Sequence, residues 1–263
     1  MNSIAPIEMI KHIDALPALP EHYLAIKKVI ASPEYEMSAL VRAIRPNQTV
    51  SATILKCVNS TFFNPVGAPI ADISKAIARL GLRQTERLAL TSALMDDFGT
   101  PTSKIKTRTF WAHAYAVALI CEQSATALHL NPEEMFSTGL FHDIGHLIQA
   151  IICDASFFED GESCMSDAER HAAEIEHCGI SHAELGAALL QQWNLPESLC
   201  QAVAAHHDVD SDILPARLCH MADNESLQII GHETAFSAIE SLIKERFTPC
   251  ISEVLSRYGL SSS

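Results

Sequence analysis

Residues 139–147, GLFHDIGHL, carry the most informative pattern in this sequence. They place an imidazole, His142, directly beside a carboxylate, Asp143, in a run that is otherwise almost entirely apolar or glycine. Buried histidine and aspartate cost free energy unless they are paired or bind a metal. Adjacent nitrogen and oxygen donors can bind one cation, or bridge two, once other helices supply further ligands. The run therefore predicts a buried helix with a polar centre.

Further histidines and a carboxylate recur along the chain within predicted helices that have apolar flanks. They are His113, His182, the adjacent pair His206 and His207, and Asp223. Several such groups inside apolar helices indicate a shared reason for their burial, which we take to be a metal site. Adjacent histidines lie about 100° apart on a helix, so both members of the pair can serve only if they straddle two ions or the helix ends there.

The composition favours a helical globular protein. Of 263 residues, 48% are apolar and 6% are aromatic, which excludes a disordered chain and disfavours an all-β fold. There is no apolar run long enough to span a membrane and no signal-peptide pattern at the N-terminus, so we expect a cytoplasmic protein without membrane insertion. The eight cysteines lie far apart without a CxxC pair, which favours reduced, mostly buried thiols over a disulfide framework.

Charge is distributed unevenly along the chain. Residues 1–109 contain 13 Lys and Arg against 9 Asp and Glu, whereas residues 110–263 contain 5 against 23. Eleven of the thirteen histidines also lie in this acidic half. A high density of carboxylates and imidazoles suits metal cations and disfavours bulk binding of nucleic acid.

Apolar periodicity, interrupted by Pro, Gly, Asn and Ser, predicts about six short helices in the first half. A break at GTPTSK, residues 99–104, coincides with the reversal of charge. We therefore predict an N-terminal helical subdomain over residues 1–100 and a metal-binding helical subdomain over residues 101–263.

Longer elements are predicted in the second half. One helix carries His113, and a second runs without interruption over residues 135–153. The acidic, Gly- and Ser-containing segment 154–170 is expected to be a mobile excursion, and a C-terminal pair of helices is expected over about residues 233–258.

The order of the polar residues resembles that of the HD superfamily of metal-dependent phosphohydrolases. The first half carries LPALP at 16–20, CVNSTFF at 57–63 and AIARLGL at 76–82, so the chain is more specifically similar to HDOD proteins. This resemblance implies an all-α fold in which an N-terminal bundle packs against an HD-like bundle. It also implies bacterial signal transduction through a signalling partner or a small phosphorylated or nucleotide ligand.

The ligand pattern is fuller than in many HDOD proteins and is similar to that of the related HD-GYP phosphodiesterases. By this resemblance one metal would be held by His113, His142, Asp143 and Asp223. A second would be completed by His182, His206 and His207, with Asp143 bridging. Such ligands suit Fe, Mn, Ni, Co or Zn better than Mg, and the resemblance favours Fe or Mn.

In an active site of this kind the nucleophile would be a water between two metals. The catalytic residues would be Asp143, Asp223, which would orient that water, and His146. The last of these is open to three interpretations, as an additional ligand, a proton shuttle or a solvated helix residue.

The sequence also departs from the HD-GYP pattern. HDxGK reads HDIGH here, so His146 replaces a lysine that helps to bind phosphate. The residues after His207 contain no GYP element, and Thr109 stands where some relatives have a metal-binding carboxylate, so two metals are expected rather than three.

Two functions remain open. We favour a signal-transduction protein whose metal is a structural or regulatory ligand, because the lysine and the GYP element are missing. The alternative is a metal-dependent phosphohydrolase, either a phosphodiesterase or a nucleotidase, because the ligand set is complete and buried ligands without a role would be costly.

Overall fold

The computed structural model describes residues 18–60, 63–98, 107–153 and 167–230, together with Ile10, Ile13 and Leu16. Within these residues every regular element is a helix, which confirms the predicted all-α class. None of the helices among them is both long enough and apolar enough to cross a membrane.

The first half of the chain contains five helices within the described residues. They are α1 (Glu21–Ile30), α2 (Met37–Ile44), α3 (Gln48–Val58), α4 (Ile73–Leu80) and α5 (Leu82–Phe98). The helices of the second half are α6 (Thr107–Ala125), α7 (Pro132–Phe141), α8 (Ile144–Ile152), α9 (Asp167–Cys178), α10 (His182–Gln192), α11 (Glu197–Ala204) and α12 (Leu214–Ile230), with a single 3-10 turn at Thr126–Leu128.

The chain divides into two compact units, residues 17–101 and residues 1–16 with 102–263. In the first unit, short amphipathic helices bury one face each, and Ile26, Leu40 and Ile54 are completely buried there. Gly81, whose φ of 82° is one that glycine adopts readily, ends α4 and separates it from α5. The functional division into subdomains 1–100 and 101–263 stays a prediction.

The second unit is built around α6, which packs along α7 and α12. On the other side of the unit, α8 lies against α10, and α10 lies against α11. The buried surface of α6 consists of small and medium apolar residues, such as Ala114, Val117 and Ala118, which are all fully buried. Small side chains let neighbouring helices approach closely, so polar groups on several helices can meet.

Helices α8 and α10 approach each other most closely at Gly145. A Cβ atom at this position would lie 1.8 Å from the carbonyl oxygen of His182. Since that oxygen belongs to the backbone, no side-chain rotation would relieve the overlap. The missing side chain therefore allows His182, the first residue of α10, to lie beside the loop between α7 and α8.

The prediction of one uninterrupted helix over residues 135–153 is wrong. Helix α7 ends at Phe141 and α8 begins at Ile144, with Asp143 at φ −98° and ψ 4° between them. Adjacent side chains on one continuous helix would diverge by about 100°. The break instead allows His142 and Asp143 to face the same space.

The helix after Pro196 ends before the adjacent histidines. Helix α11 ends at Ala204, so His206 and His207 lie in the turn that follows. This confirms one of the two conditions under which both histidines can be metal ligands, namely that the helix ends there. The predicted excursion over 154–170 is wrong at its end, because α9 begins at Asp167. Residues 154–166, the break at 99–104 and the predicted C-terminal helices lie outside the described residues.

The expectation of reduced thiols is wrong for one pair of cysteines. Cys153, which follows α8, and Cys178, which ends α9, form a disulfide with their Cα atoms 5.7 Å apart. The separation of 25 residues along the chain hid this proximity in the sequence. The other described cysteines are thiols, and Cys121, Cys200 and Cys219 are buried as expected.

Replacing Gly145 by alanine should destabilise the protein by about 1–3 kcal/mol, since the added methyl group would overlap backbone atoms. Gly186→Ala is the matched control on the facing helix, because its Cβ would meet neighbours only at 3.3–3.4 Å. Alanine is more favourable than glycine within a helix by up to about 1 kcal/mol, and this gain should offset the tight contact. Chemical denaturation of both variants measures the difference, and equal stabilities would contradict the close approach.

Candidate metal centre

The structure brings the seven predicted metal ligands together from five places in the second unit. His113 comes from α6, His142 and Asp143 from the loop between α7 and α8, and His182 from the start of α10. The remaining ligands come from the turn after α11 and from α12; they are His206, His207 and Asp223. Residues up to 110 positions apart in the sequence therefore share one centre.

Asp143 lies in the middle of the centre, and its two carboxylate oxygens face different histidines. Oδ2 lies 3.2 Å from Nε2 of His142 and 3.5 Å from Nε2 of His113. Oδ1 lies 3.5 Å from Nε2 of His182 and 3.8 Å from Nε2 of His206. The carboxylate thus separates two donor sets and belongs to both.

Each donor set is completed by one further residue. In the first set, Oδ1 of Asp223 lies 3.0 Å from Nε2 of His113. In the second set, Nε2 of His207 lies 3.0 Å from Nε2 of His182, which is 3.4 Å from Nε2 of His206. His113, His142 and Asp143 lie close enough together to hold one ion, and so do Asp143, His182, His206 and His207, while Asp223 lies beside the first of these groups.

Hydrogen bonds on the outer side determine which ring nitrogen faces inward. Nδ1 of His142 donates to the carbonyl of Gly139 at 2.8 Å, and Nδ1 of His206 donates to the carbonyl of Val203 at 2.7 Å. A carbonyl can only accept, so each Nδ1 carries a proton and Nε2 is the ring nitrogen left to face the centre.

A serine determines which ring nitrogen of His113 faces the centre. The Ser226 hydroxyl donates its single proton to the carbonyl of Asp223 at 2.8 Å. It must therefore accept from Nδ1 of His113, which lies 2.9 Å away. Nε2 of His113 therefore faces the two aspartates, where it donates a hydrogen bond when it is protonated and binds a metal when it is not.

The inward-facing atoms fit a cation and do not fit one another. Lone pairs on nitrogen and negative carboxylate oxygens are all acceptors, and they repel unless a proton or a metal lies between them. Nε2 of His142 is buried and makes no hydrogen bond. A mixed nitrogen and oxygen donor set of this kind suggests a metal.

The pKa values of the first set reflect the two aspartates. Burial lowers the pKa of His113, but hydrogen bonds to Asp143 and Asp223 outweigh it and raise the pKa to about 10. Burial likewise lowers the pKa of His142, but the charge of Asp143 raises it to about 9. Burial opposes ionisation of Asp223, yet the neighbouring histidines lower its pKa to about 2.

In the second set the shifts have the opposite sign. Burial, followed by the charges of neighbouring histidines, lowers the pKa of both His182 and His206 well below the usual value. These two rings are therefore neutral at neutral pH, which is the form that binds metals.

His146 lies at the edge of the second set. Its ring stacks on that of His182 with centroids 4.0 Å apart, and its Nε2 lies 4.0 Å from Oδ1 of Asp143. Gln149 donates its amide hydrogen to the carbonyl of Ile180 at 3.2 Å, so its amide oxygen accepts from Nδ1 of His146 at 3.0 Å. Nε2 of His146 thus presents a lone pair towards Asp143.

Sequence reasoning missed three residues that orient the predicted ligands. They are Gln149, Glu174 and Ser226. Gln149 interrupts an apolar run, which was a usable signal of a buried polar role. Glu174 lies among other acidic residues, and Ser226 has no distinctive neighbours, so neither could be recognised from the sequence.

The centre is buried on one side and partly exposed on the other. The side chains of His142 and His206 are 0% exposed, whereas those of Asp143 and His146 are 17% and 13% exposed. The Asp143 carboxylate and the imidazoles of His113 and His146, each of these two 13% exposed, are therefore the parts of the centre nearest to solvent.

A family model described as the HDOD domain matches residues 16–209. This match confirms the resemblance inferred from the sequence. A protein of Treponema pallidum (strain Nichols), described as uncharacterised, is 28% identical over 203 residues, which is 75% of this chain. The chain spans only 38% of the length of that relative.

Several crystal structures of other proteins are similar to the structure of this chain. An HDOD domain protein with unknown function from Geobacter sulfurreducens has a TM-score of 0.70 and 25% identity, covering 98% of this chain and 89% of that one. A candidate phosphohydrolase from Shewanella amazonensis SB2B has a TM-score of 0.68 and 22% identity, with 98% and 94% covered. A candidate signal-transduction protein from Marinobacter aquaeolei VT8 has a TM-score of 0.63 and 19% identity, with 93% and 58% covered. The last two identities show a shared fold and no more.

The position of Asp143 between the two sets predicts how metal content responds to single substitutions. Asp143→Asn should remove most bound metal, because both sets lose a charged oxygen, whereas Asp223→Asn should mainly affect the first set. Asp212→Asn changes an exposed carboxylate nearby and should have no effect. Elemental mass spectrometry of anaerobically prepared proteins counts the atoms per chain. Equal losses in the Asp143 and Asp212 variants would contradict the assignment.

Proposed function

The chain belongs to the HDOD domain family, and we propose that it is a signal-transduction protein that binds a pair of divalent transition-metal ions. The observation that carries this proposal is the carboxylate of Asp143, whose two oxygens face two separate sets of donors. Its action would be exerted through a signalling partner or a small phosphorylated ligand. Neighbours with the same fold, one an HDOD domain protein and one a candidate signal-transduction protein, give the proposal its context.

The donor set narrows the choice of metal. Five imidazoles and two carboxylates suit Fe, Mn, Ni, Co or Zn, while Mg prefers oxygen ligands and waters. Resemblance to the wider superfamily favours Fe or Mn. Residues His113, His142, Asp143 and Asp223 would hold one ion, and His182, His206 and His207 would hold the other together with Asp143.

The origin of the ligands on several different elements supports a signalling role. The ions would link α6, the α7–α8 loop, the start of α10, the turn after α11, and α12. Because five elements would be joined through one centre, occupancy of the centre would change their relative mobility and the surface they present. Metal binding, or a ligand that contacts the metals, would in this way be transmitted to a partner.

Hydrolysis of a phosphate ester is the second candidate, favoured by the partly exposed side of the centre. A pair of divalent ions supplies Lewis acidity, which lowers the pKa of water from about 15.7 towards about 7 and stabilises the reacting oxygens. Asp223, beside His113, would orient a water molecule through its carboxylate. His146 would accept a proton at Nε2, because its Nδ1 is already protonated and bound to Gln149.

We rank signalling above hydrolysis because residue 146 is a histidine where the HD-GYP pattern has a lysine. A lysine at this position would offer a permanent positive charge and three donors to a phosphate. The imidazole instead offers an acceptor at Nε2, which repels an anionic oxygen when it is unprotonated. Recognition of a phosphate on this side is therefore weaker than the HD-GYP pattern would provide.

Loading with metal should stabilise the protein without producing rapid turnover. Anaerobic addition of Fe²⁺ or Mn²⁺ should raise Tm of the wild type, because a ligand that binds only the folded state stabilises it by mass action. Asp143→Asn should show a much smaller rise and Asp212→Asn an unchanged one. Calorimetry measures Tm, and hydrogen exchange shows which of the five elements become protected.

The same samples test the second candidate with bis(4-nitrophenyl) phosphate, nucleoside monophosphates and a cyclic dinucleotide as substrates. Metal-dependent turnover that is lost in Asp143→Asn would establish hydrolysis and place it above signalling. A folded wild type that takes up neither ion would contradict both candidates.

A further inference from the structure

Helix α9 buries one carboxylate, while its other described side chains are partly or fully exposed. Among residues 169–178, whose side chains the structure describes, Glu174 alone is buried, with a side-chain exposure of 0%. An ionised carboxylate is costly to bury unless hydrogen bonds compensate for the lost water. The hydrogen bonds that Glu174 accepts therefore indicate what fixes the position of α9.

Glu174 contacts one metal-ligand candidate twice. Oε1 accepts from Nδ1 of His182 at 2.6 Å, and Oε2 accepts from the backbone N–H of the same residue at 2.8 Å. His182 is the first residue of α10, where the backbone N–H has no partner within the helix. The two hydrogen bonds thus orient both the ring and the helix start, and they leave Nε2 of His182 facing Asp143.

The helix that carries Glu174 is attached covalently to α8. Cys178 ends α9, one turn after Glu174, and it is joined to Cys153 directly after α8. A second attachment lies close by, because Gln149 of α8 donates to the carbonyl of Ile180. The disulfide therefore joins the end of α8 directly to the helix that carries Glu174, the residue that orients His182.

We propose that Glu174 is a positioning residue for His182, and that the Cys153–Cys178 disulfide makes the metal affinity of the second donor set depend on thiol redox state. This inference rests on the metal binding proposed above. With the disulfide formed, α9 is held against α8 and Glu174 stays on His182. With the disulfide reduced, α9 is held against α8 only by non-covalent contacts and His182 is oriented less tightly.

The redox step involves a dithiol of the kind found in cellular reductants. The S–S bond breaks as Cys153 and Cys178 take up two electrons and two protons, and the dithiol gives these up as it forms its own disulfide. The reverse exchange with an oxidised dithiol restores the bond. Cys178 is partly exposed, and a disulfide with a partly exposed cysteine suits reversible exchange.

The positioning role is tested with Glu174→Gln. Loss of a carboxylate behind a metal-binding histidine typically weakens metal affinity about 10–100-fold. We expect that loss for Mn²⁺, measured by anaerobic competition with a chromophoric chelator, and no change for the control Glu176→Gln, an exposed glutamate on the same helix. Nitrogen-15 NMR of the imidazoles should show His182 as a single Nδ1–H tautomer in the wild type and as a mixture in Glu174→Gln. An unchanged affinity and tautomer would overturn the role.

The redox role is tested on the full chain in two states. Oxidised protein is compared with protein reduced by a dithiol, which is then removed anaerobically by gel filtration before Mn²⁺ is titrated. We expect reduced wild type to bind the second ion at least several-fold more weakly. The double variant Cys153→Ser with Cys178→Ser should match the reduced state under both conditions, and Cys57→Ser, in the other unit, should respond as the wild type does.

The outcomes separate this inference from the proposed function. Equal Mn²⁺ affinity in both redox states would overturn the redox role while leaving metal binding intact. A wild type that binds no Mn²⁺ in either state would contradict the proposed function and this inference together. Circular dichroism of each variant establishes that it is folded, so that a loss of affinity is attributable to the centre.

Discussion

The electrostatic balance around the Asp143 carboxylate is the constraint on which the second unit depends. Its oxygens face the inward ring nitrogens of four histidines, and each of these nitrogens either carries a proton or presents a lone pair. Such an arrangement is unfavourable in a buried site unless protons or metal ions lie among the acceptors. The opposite pKa shifts follow from this balance, since histidines close to both aspartates retain protons and those close to other histidines lose them.

The backbone is arranged to serve that centre. A continuous helix would separate His142 from Asp143, and the chain therefore leaves helical geometry at these residues. A side chain at position 145 would displace α10, so glycine stands there and His182 can reach the carboxylate. Carbonyls at the ends of α7 and α11 then accept from the outer ring nitrogens of His142 and His206. Local features that weaken helices in general are thus concentrated around the candidate ligands.

Sequence reasoning predicted the all-helical class, most helices and the residues that meet at the centre, because apolar periodicity and polar residues in apolar surroundings are local signals. It did not predict the break at His142, since the flanking residues form helices equally well without it. Glu174 could not be distinguished from the exposed Glu176, because the burial of either depends on where α9 lies. The pairing of Cys153 with Cys178 likewise depends on the return of the chain after 25 residues.

The two sides of the centre have different consequences for function. On the buried side, Glu174 and the carbonyls of Gly139 and Val203 orient the rings, which favours firm retention of metal. Towards solvent, His146 stands where the HD-GYP pattern has a lysine, and its Nδ1 donates to Gln149, which leaves Nε2 facing Asp143. Tight metal binding with weak recognition of anions, as proposed above, would suit a centre that reports its own state to a partner. It suits rapid turnover of phosphate esters less well, because catalysis requires stronger binding of the anionic transition state than of the substrate.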